Sequence, residues 1–323
     1  MRWGFTVLVF LGFGCMGTAA YAVEDDAAFQ WLQKIANATH QLNYTGNFVY
    51  QHGSHMETSR IIHMVDAKGE HEKLTVIDGA PREVYRDNER VLCFLPDNKT
   101  VVVEKRKTKK SFPSILPSQI VDLSHSYSVK LGPKERIANH DCQIILLVPK
   151  DNYRYGHKLW ADLKTGLLLK SGTVGEEHKM VDQFAFTHVI IGGKIKIADV
   201  KPNLQGMKLI GSDSEDKAIE PEDIDSGWTV KDLPPGFQKI MEVQRLFPNK
   251  TEPVTHIVFS DGLAAVSVFV ESATFAEEEK MGLSNHGAIH MYSTHVENSN
   301  VRVVGEVPGA TVMQIANTLS RTK

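Results

Sequence analysis

Three cysteines in 323 residues are too few for a disulfide-stapled scaffold. Charge of one sign is lacking as well. The 36 Lys and Arg stand against 39 Asp and Glu, a net charge of −3, so no global basic field suggests nucleic acid. Catalytic signatures are missing: there is no HExxH, no GxSxG and no P-loop. Gly282–Gly287 (GLSNHG) is one residue too long for a nucleophile elbow, and the SxxK spacing of Ser214–Lys217 falls in an acidic stretch. The fourteen histidines do not compensate. His52, His55, His63 and His71 make one loose group and His286, His290 and His295 another, with no Cys/His pairs at structural-zinc spacing. On a strand, His290 and His295 would point to opposite faces. No enzyme activity, metal or cofactor is expected.

Long hydrophobic runs are absent beyond the first twenty-two residues. There, Arg2 supplies a positive start, Phe5–Phe13 an apolar segment too short to span a bilayer, and Ala20-Tyr21-Ala22 a small-x-small site. A signal peptide cleaved after Ala22 is expected, leaving 323 − 22 = 301 exported residues. Lipidation of Cys15 is the competing reading, and Gly12-Phe13-Gly14 fits a lipobox poorly. Two cysteines then remain, Cys93 and Cys142. An oxidising compartment permits a bridge, which would close a loop of roughly fifty residues and add ~4 kcal/mol. Two inert buried thiols suit the same apolar strands equally well.

What is present divides the chain in two. Asp25–Leu42 has the helical period, with Ala28, Trp31, Leu32, Ile35 and Leu42 on one stripe and Asp25 and Asp26 at the dipole's positive end. From Tyr44 to Val200, short β-rich runs alternate with turn signals such as Asp78-Gly79 and Gly192-Gly193, giving roughly ten strands at meander spacing and no βαβ pattern. The architecture expected over residues 23–205 is mainly β: an unclosed antiparallel barrel wrapping the N-terminal helix. Such a half-barrel has an interior suited to apolar ligands. Trp31, Leu32, Ile35, Phe48, Tyr50, Phe94, Trp160 and Phe184 are the candidates to line it, on the helix or on alternating strand positions. Lys105–Lys110 (KRKTKK) cannot be core, and Lys105, Arg106, Lys107, Lys109 and Lys110 are candidates for contact with an anionic ligand or surface. Phe112, Ile115 and Leu116, set between two prolines, read as a loop or short lid resting on the sheet.

Residues 206–227 read as an acidic linker, with seven Asp and Glu against one Lys between Gly211 and Gly227. Residues 228–323 form a smaller α+β domain of about four strands and a last helix capped by Thr311. It is organised around Thr255–Ala273, two apolar strands folded on Asp261-Gly262, which reads as a two-residue hairpin turn. Trp228, Phe237, Phe259 and Phe269 are its candidate partner-binding aromatics.

Ordered blocks throughout the exported chain carry a family resemblance. They include Tyr44-Thr45-Gly46, Cys93-Phe94-Leu95-Pro96, Pro149-Lys150-Asp151, Arg154-Tyr155-Gly156, the SDGLAAVSVFVE run beginning at Ser260, and Gly305-Glu306-Val307-Pro308. Together they resemble the MucB/RseB family of periplasmic regulators of sigma-E-type sigma factors. The resemblance implies a first domain like the lipoprotein carriers LolA and LolB. It further implies binding to the periplasmic domain of a RseA/MucA-like anti-sigma factor, protection of that factor from site-one proteolysis, and release by lipopolysaccharide or a lipoprotein-like amphiphile. A lipid or lipoprotein carrier is the alternative, and self-association into a homo-oligomer is left open.

Overall fold

The computed structural model describes residues 18–88, 90–95, 99–105, 112–117, 120–175, 178–211, 222–245, 252–272 and 281–322. Helix α1 (Thr18–Gln41) comes first and begins upstream of the stripe read from sequence. Ala28, Leu32 and Ile35, spaced by four and three, are fully buried, as an amphipathic helix on a sheet requires. Twelve strands follow: β1 (Tyr44–His52), β2 (His55–Asp66), β3 (Gly69–Val76), β4 (Glu83–Asp87), β5 (Arg90–Leu95), β6 (Thr100–Lys105), β7 (Tyr127–Ile137), β8 (His140–Pro149), β9 (Gly156–Asp162), β10 (Leu168–Val174), β11 (Met180–Ile191) and β12 (Lys208–Gly211). They form one sheet in the order β12-β6-β5-β4-β3-β2-β1-β11-β10-β9-β8-β7, antiparallel except for β12 on β6. Its outermost strands, β12 and β7, do not pair with each other, so the barrel is unclosed.

Register assigns the faces, because directly paired residues point the same way. One row runs Leu131, Ile145, Leu159, Ser171, Phe184, Tyr50 across β7 to β1. The same inner face carries Tyr44, Phe48, Ile61 and Phe186, which pack with Leu32 and Ile35 of α1 in the main core. The outer face has its own smaller cluster of Tyr85, Leu92, Phe94, Val101 and Val103, covered by Leu204, Met207 and Leu209. That cover explains why the first unit extends to Gly211: β12 pairs Leu209 with Val101 and adds it to the outer cluster, so part of the stretch read as linker is sheet.

The second unit has seven strands in the order β13-β15-β16-β17-β20-β19-β18: β13 (Glu222–Asp223), β15 (Gln238–Arg245), β16 (Val254–Ser260), β17 (Ala265–Ser272), β18 (Gly282–His286), β19 (Ile289–Val296) and β20 (Ser299–Gly305). Helix α2 (Gly309–Thr318) lays Val312, Ile315 and Ala316 on Ile257, Phe259, Val266, Val268, Val301 and Val303. A two-stranded pair, β14 (Trp228–Val230) with β21 (Leu319–Arg321), ties the start of this unit to its end. The four strands legible in the sequence are β16, β17, β19 and β20. Strand β15 lacks a strand signature because Lys, Glu, Gln and Arg interrupt its alternation, and β18 because it is an exposed edge. The expected two-residue turn is instead a four-residue loop, since Ser260 pairs with Ala265 and Asp261 N–H donates to Ala264 O. The Asp261 carboxylate accounts for the longer loop: its Oδ1 accepts from the N–H groups of Leu263 (2.9 Å) and Ala264 (2.7 Å).

Candidate functional site

The inner face of the first unit is lined as an apolar lumen and is filled by the chain itself. Phe112 enters from the segment between β6 and β7 and is buried. Its ring stacks on Phe184 (centroids 5.5 Å apart, planes at 9°) and lies 5.2 Å from both Phe48 and Phe186. Leu116 is buried beside it, and Ile115 packs against the same cluster. Towards the other end the lumen turns polar. Tyr44 stacks on His63 at 4.6 Å, Arg86 is ion-paired with Glu72, and His40 Nδ1 lies 3.1 Å from Glu70. Burial, helped by the charges of Glu72 and Glu70, holds the Tyr44 phenol protonated well above its usual range.

The predicted lining residues separate by face. Leu32, Ile35, Phe48, Tyr50 and Phe184 come together at the lumen, with Trp31 half-buried at the helix margin beneath the Lys34 ammonium, 4.4 Å away. Phe94 does not join them: it packs on Tyr85 at 5.0 Å on the outer face. Trp160 is also on the outer side, because register pairs it with Ile144 and Lys170, one row off the lumen. It is buried under the stems of Lys158 and Lys170, each ammonium 4.6 Å from the ring, and its Nε1–H donates to Glu135 at 2.7 Å. Alternation alone could not distinguish these faces, since an outer cover over β5 was not legible. Lys105 closes β6, while Arg106, Lys107, Lys109 and Lys110 lie outside the described residues.

Cys93 and Cys142 are not bridged. They sit on β5 and β8, with seven strands between them in the sheet order. The Cys142 thiol is buried, donates to His140 O at 3.5 Å, and is pushed up to about 12 by desolvation and the nearby Asp162 charge. Among the described residues no group of three or more His, Cys, Asp or Glu could hold a metal ion.

The candidate partner-binding aromatics lie mostly in a core. Trp228, Phe237 and Phe259 are buried in the second unit's core rather than displayed on its surface, and Phe269 is half-buried against His256 with centroids 4.4 Å apart. Phe237 has another role, as one wall of the junction between the two units.

That junction is a densely bonded polar site that no local sequence pattern reveals. Arg154, in the loop before β9, has a fully buried side chain. Its Nε and Nη2 donate to the two carboxylate oxygens of Asp151, each at 3.0 Å. Its Nη1 donates to Asp261 Oδ2 at the β16–β17 loop, and its Nη2 to Pro235 O. Tyr127 Oη–H donates to the same Asp261 oxygen at 3.4 Å, and the guanidinium lies 5.0 Å from the Phe237 ring. Burial alone would lower the Arg154 pKa, but the Asp151 hydrogen bonds and the Asp261 charge outweigh it and the net direction is up. Around this anchor, Thr311 Oγ1 donates to Tyr153 O (2.8 Å), Tyr155 Oη meets His290 Nδ1 (3.3 Å), and Thr173 Oγ1 donates to Glu306 Oε1 (3.1 Å). Glu306 also bonds Asp182. Burial of its carboxyl and then the Asp182 charge push its pKa up to about 8. Leu263, at the hairpin tip, packs on the first unit's core.

The sequence profile of the MucB/RseB N-terminal domain matches residues 27–204, and that of the MucB/RseB C-terminal domain matches residues 222–320. The chain belongs to the MucB/RseB family. It is 30% identical over 309 residues to the sigma factor AlgU regulatory protein MucB of Pseudomonas aeruginosa, covering 92% of each chain. It is 26% identical over 295 residues to the sigma-E factor regulatory protein RseB of Haemophilus influenzae, covering 91% of each. A crystal structure of MucB in complex with MucA(peri) superposes with a TM-score of 0.72 at 26% identity, covering 92% of this chain and 99% of that one. The blocks that carried the MucB/RseB resemblance also hold the junction: Asp151, Arg154, Tyr155, Asp261 and Glu306 all lie within them. The signal was therefore present, but the residues that answer one another are 107 positions apart.

Proposed function

We propose that this chain is an exported regulator of a sigma factor, freed of its leader after Ala22, that binds the periplasmic domain of a membrane-anchored anti-sigma factor. In the bound state it shields that factor from site-one proteolysis, and an amphiphile with an apolar tail releases it. The observation that carries this reading is the likeness, over both domains in order, to a MucB solved in complex with MucA(peri). The aromatic-lined inner face of the first unit supports the lipid-responsive part. Release is population shift, so the amphiphile must bind the free regulator better than the complexed one.

The test is a titration of the mature protein with the periplasmic segment of its cognate anti-sigma factor, with and without a lipid-A-like amphiphile. A parallel digestion of that segment by a site-one protease of the DegS type is run with each sample. The reading expects tight binding, protection from cleavage, and loss of both when the amphiphile is added. Absence of contact with the anti-sigma segment would refute it.

A further inference from the structure

We propose that residues 112–117 are a built-in occupant of the acyl site: Phe112, Ile115 and Leu116 fill the place a ligand's hydrocarbon chain takes, and binding expels them. This inference rests on the lipid-responsive reading of the first unit and names how that site is regulated.

Three observations carry it. The first is the manner in which the segment is held. Phe112 contacts three inner-face aromatics, Phe48, Phe184 and Phe186, through its ring alone. Across residues 112–117 there is neither helix nor extended strand: the backbone is held by one isolated β-bridge at Ser114 and by a local bond, Ile115 N–H to Pro113 O. Side-chain burial with a single bridge in place of a continuous ladder is the kind of attachment that another apolar group can replace, since the hydrophobic effect is non-directional. The second observation is Ser114, whose hydroxyl is buried without a hydrogen-bond partner. It faces the polar end of the lumen with Tyr44, His63, Glu72 and Arg86. An unpaired buried hydroxyl favours the state in which the segment returns to water.

The third observation ties the segment to the junction. Pro117, at its end, lies under the β16–β17 loop. A Cβ on Gly262 would stand 3.6 Å from Pro117 and 3.5 Å from Leu123, and Gly262 takes a φ of +103° that other residues adopt poorly. Leu263, the next residue, packs on the same core as Phe112 and Leu116. Expelling the segment therefore removes part of the surface on which the second unit's hairpin tip rests, next to the Arg154–Asp261 anchor, and leaves Leu123 as the remainder. An event in the lumen is in this way felt at the contact between the two units.

The test measures binding of a dansyl-labelled undecanoic acid by fluorescence to the full mature wild type and to Phe112→Ala. Removing the competing ring raises the fraction of binding-competent protein, so the variant is expected to bind on the order of tenfold tighter. In the same wild-type protein, hydrogen–deuterium exchange of residues 112–117 and 261–264 is expected to rise when the fatty acid is added. That measurement decides the matter even if the variant fails to fold. Equal affinity with unchanged exchange would overturn the proposal while leaving lipid binding intact elsewhere. Weaker binding by the variant would make Phe112 a wall of the site rather than its occupant, and would also overturn it. Absence of binding in both proteins would remove the lipid-responsive reading itself, and this inference with it.

Discussion

Asp261→Ala should cost more than any single surface change in this molecule. The Arg154 and Asp261 side chains are both fully buried, so removing the carboxylate leaves the guanidinium's inward donor without its anion. Breaking a buried pair from one side typically costs about 3–5 kcal/mol. Arg154 keeps its bidentate bond to Asp151, which is 22% exposed, so the charge part should fall near the lower figure. Asp261 also closes its own loop through two backbone N–H bonds, and losing these adds roughly 1–3 kcal/mol. A total of about 4–6 kcal/mol follows for Asp261→Ala. Asp261→Asn retains an acceptor for the loop and should cost about 2–3 kcal/mol. Urea unfolding followed by circular dichroism measures both. A double-mutant cycle with Arg154→Met isolates the pair, whose coupling should be at least ~2 kcal/mol. Small-angle scattering should show the two units separating in Asp261→Ala before either unfolds. If both single variants cost under ~1 kcal/mol, or the coupling is near zero, the junction is not held by this pair and the reasoning fails.

Other perturbations separate the remaining roles. Glu306 as a residue is exposed, yet its carboxyl is turned onto Thr173 and Asp182, with a pKa raised from 4.5 to about 8. A carboxyl raised in the folded state stabilises it most when protonated. Its contribution is full below the ordinary value and is lost as pH rises through about 8, so the urea midpoint should fall between about pH 5 and pH 8.5 in the wild type and much less in Glu306→Gln; parallel profiles would exclude the proton from the junction. Phe94→Ala should destabilise the first unit by about 3–5 kcal/mol by emptying the outer cluster, while fatty-acid affinity stays unchanged, because the ring faces away from the lumen. Any large loss of affinity in a folded variant would contradict that face assignment. Native thiol titration should find Cys93 reacting first and Cys142 silent until unfolding, with two thiols recovered in urea; recovery of none would mean that the cysteines are bridged.

Legibility in the sequence follows the range of the interaction. The α1 stripe and the β1 alternation are local patterns, and periodicity exposes them, whereas the linker expected from residue 206 overlaps β12, whose pairing with β6 is long-range. The lumen-facing set was legible where alternation and burial agree, as at Phe48, Tyr50 and Phe184. It failed at Phe94 and Trp160 because the sheet is covered on both faces there, by Leu204 to Leu209 in one case and by lysine stems in the other. Trp228, Phe237 and Phe259 were misplaced for a related reason: large aromatics serve cores and interfaces alike, and composition does not distinguish them. Strand β15 was invisible because its charges do structural work, Glu242 accepting from Ser226 N–H at 2.9 Å and from Lys239 at 2.5 Å.

The hairpin singled out from sequence does organise the chain, but through a different chemistry from the one its Asp-Gly pair suggested. In the sequence, Asp261 signals tolerance of a tight turn. In the fold one of its oxygens closes a longer loop while the other receives Arg154 and Tyr127 of the first unit. A shorter turn would end before it could reach them. Gly262 then lets the tip approach Pro117 and Leu123, and Leu263 enters the first unit's core. Three consecutive residues thus perform turn formation, charge pairing and packing across the junction, so the loop cannot alter its conformation without loosening the two units. That coupling is a structural requirement for any regulator in which an event inside one domain must change what the whole molecule binds.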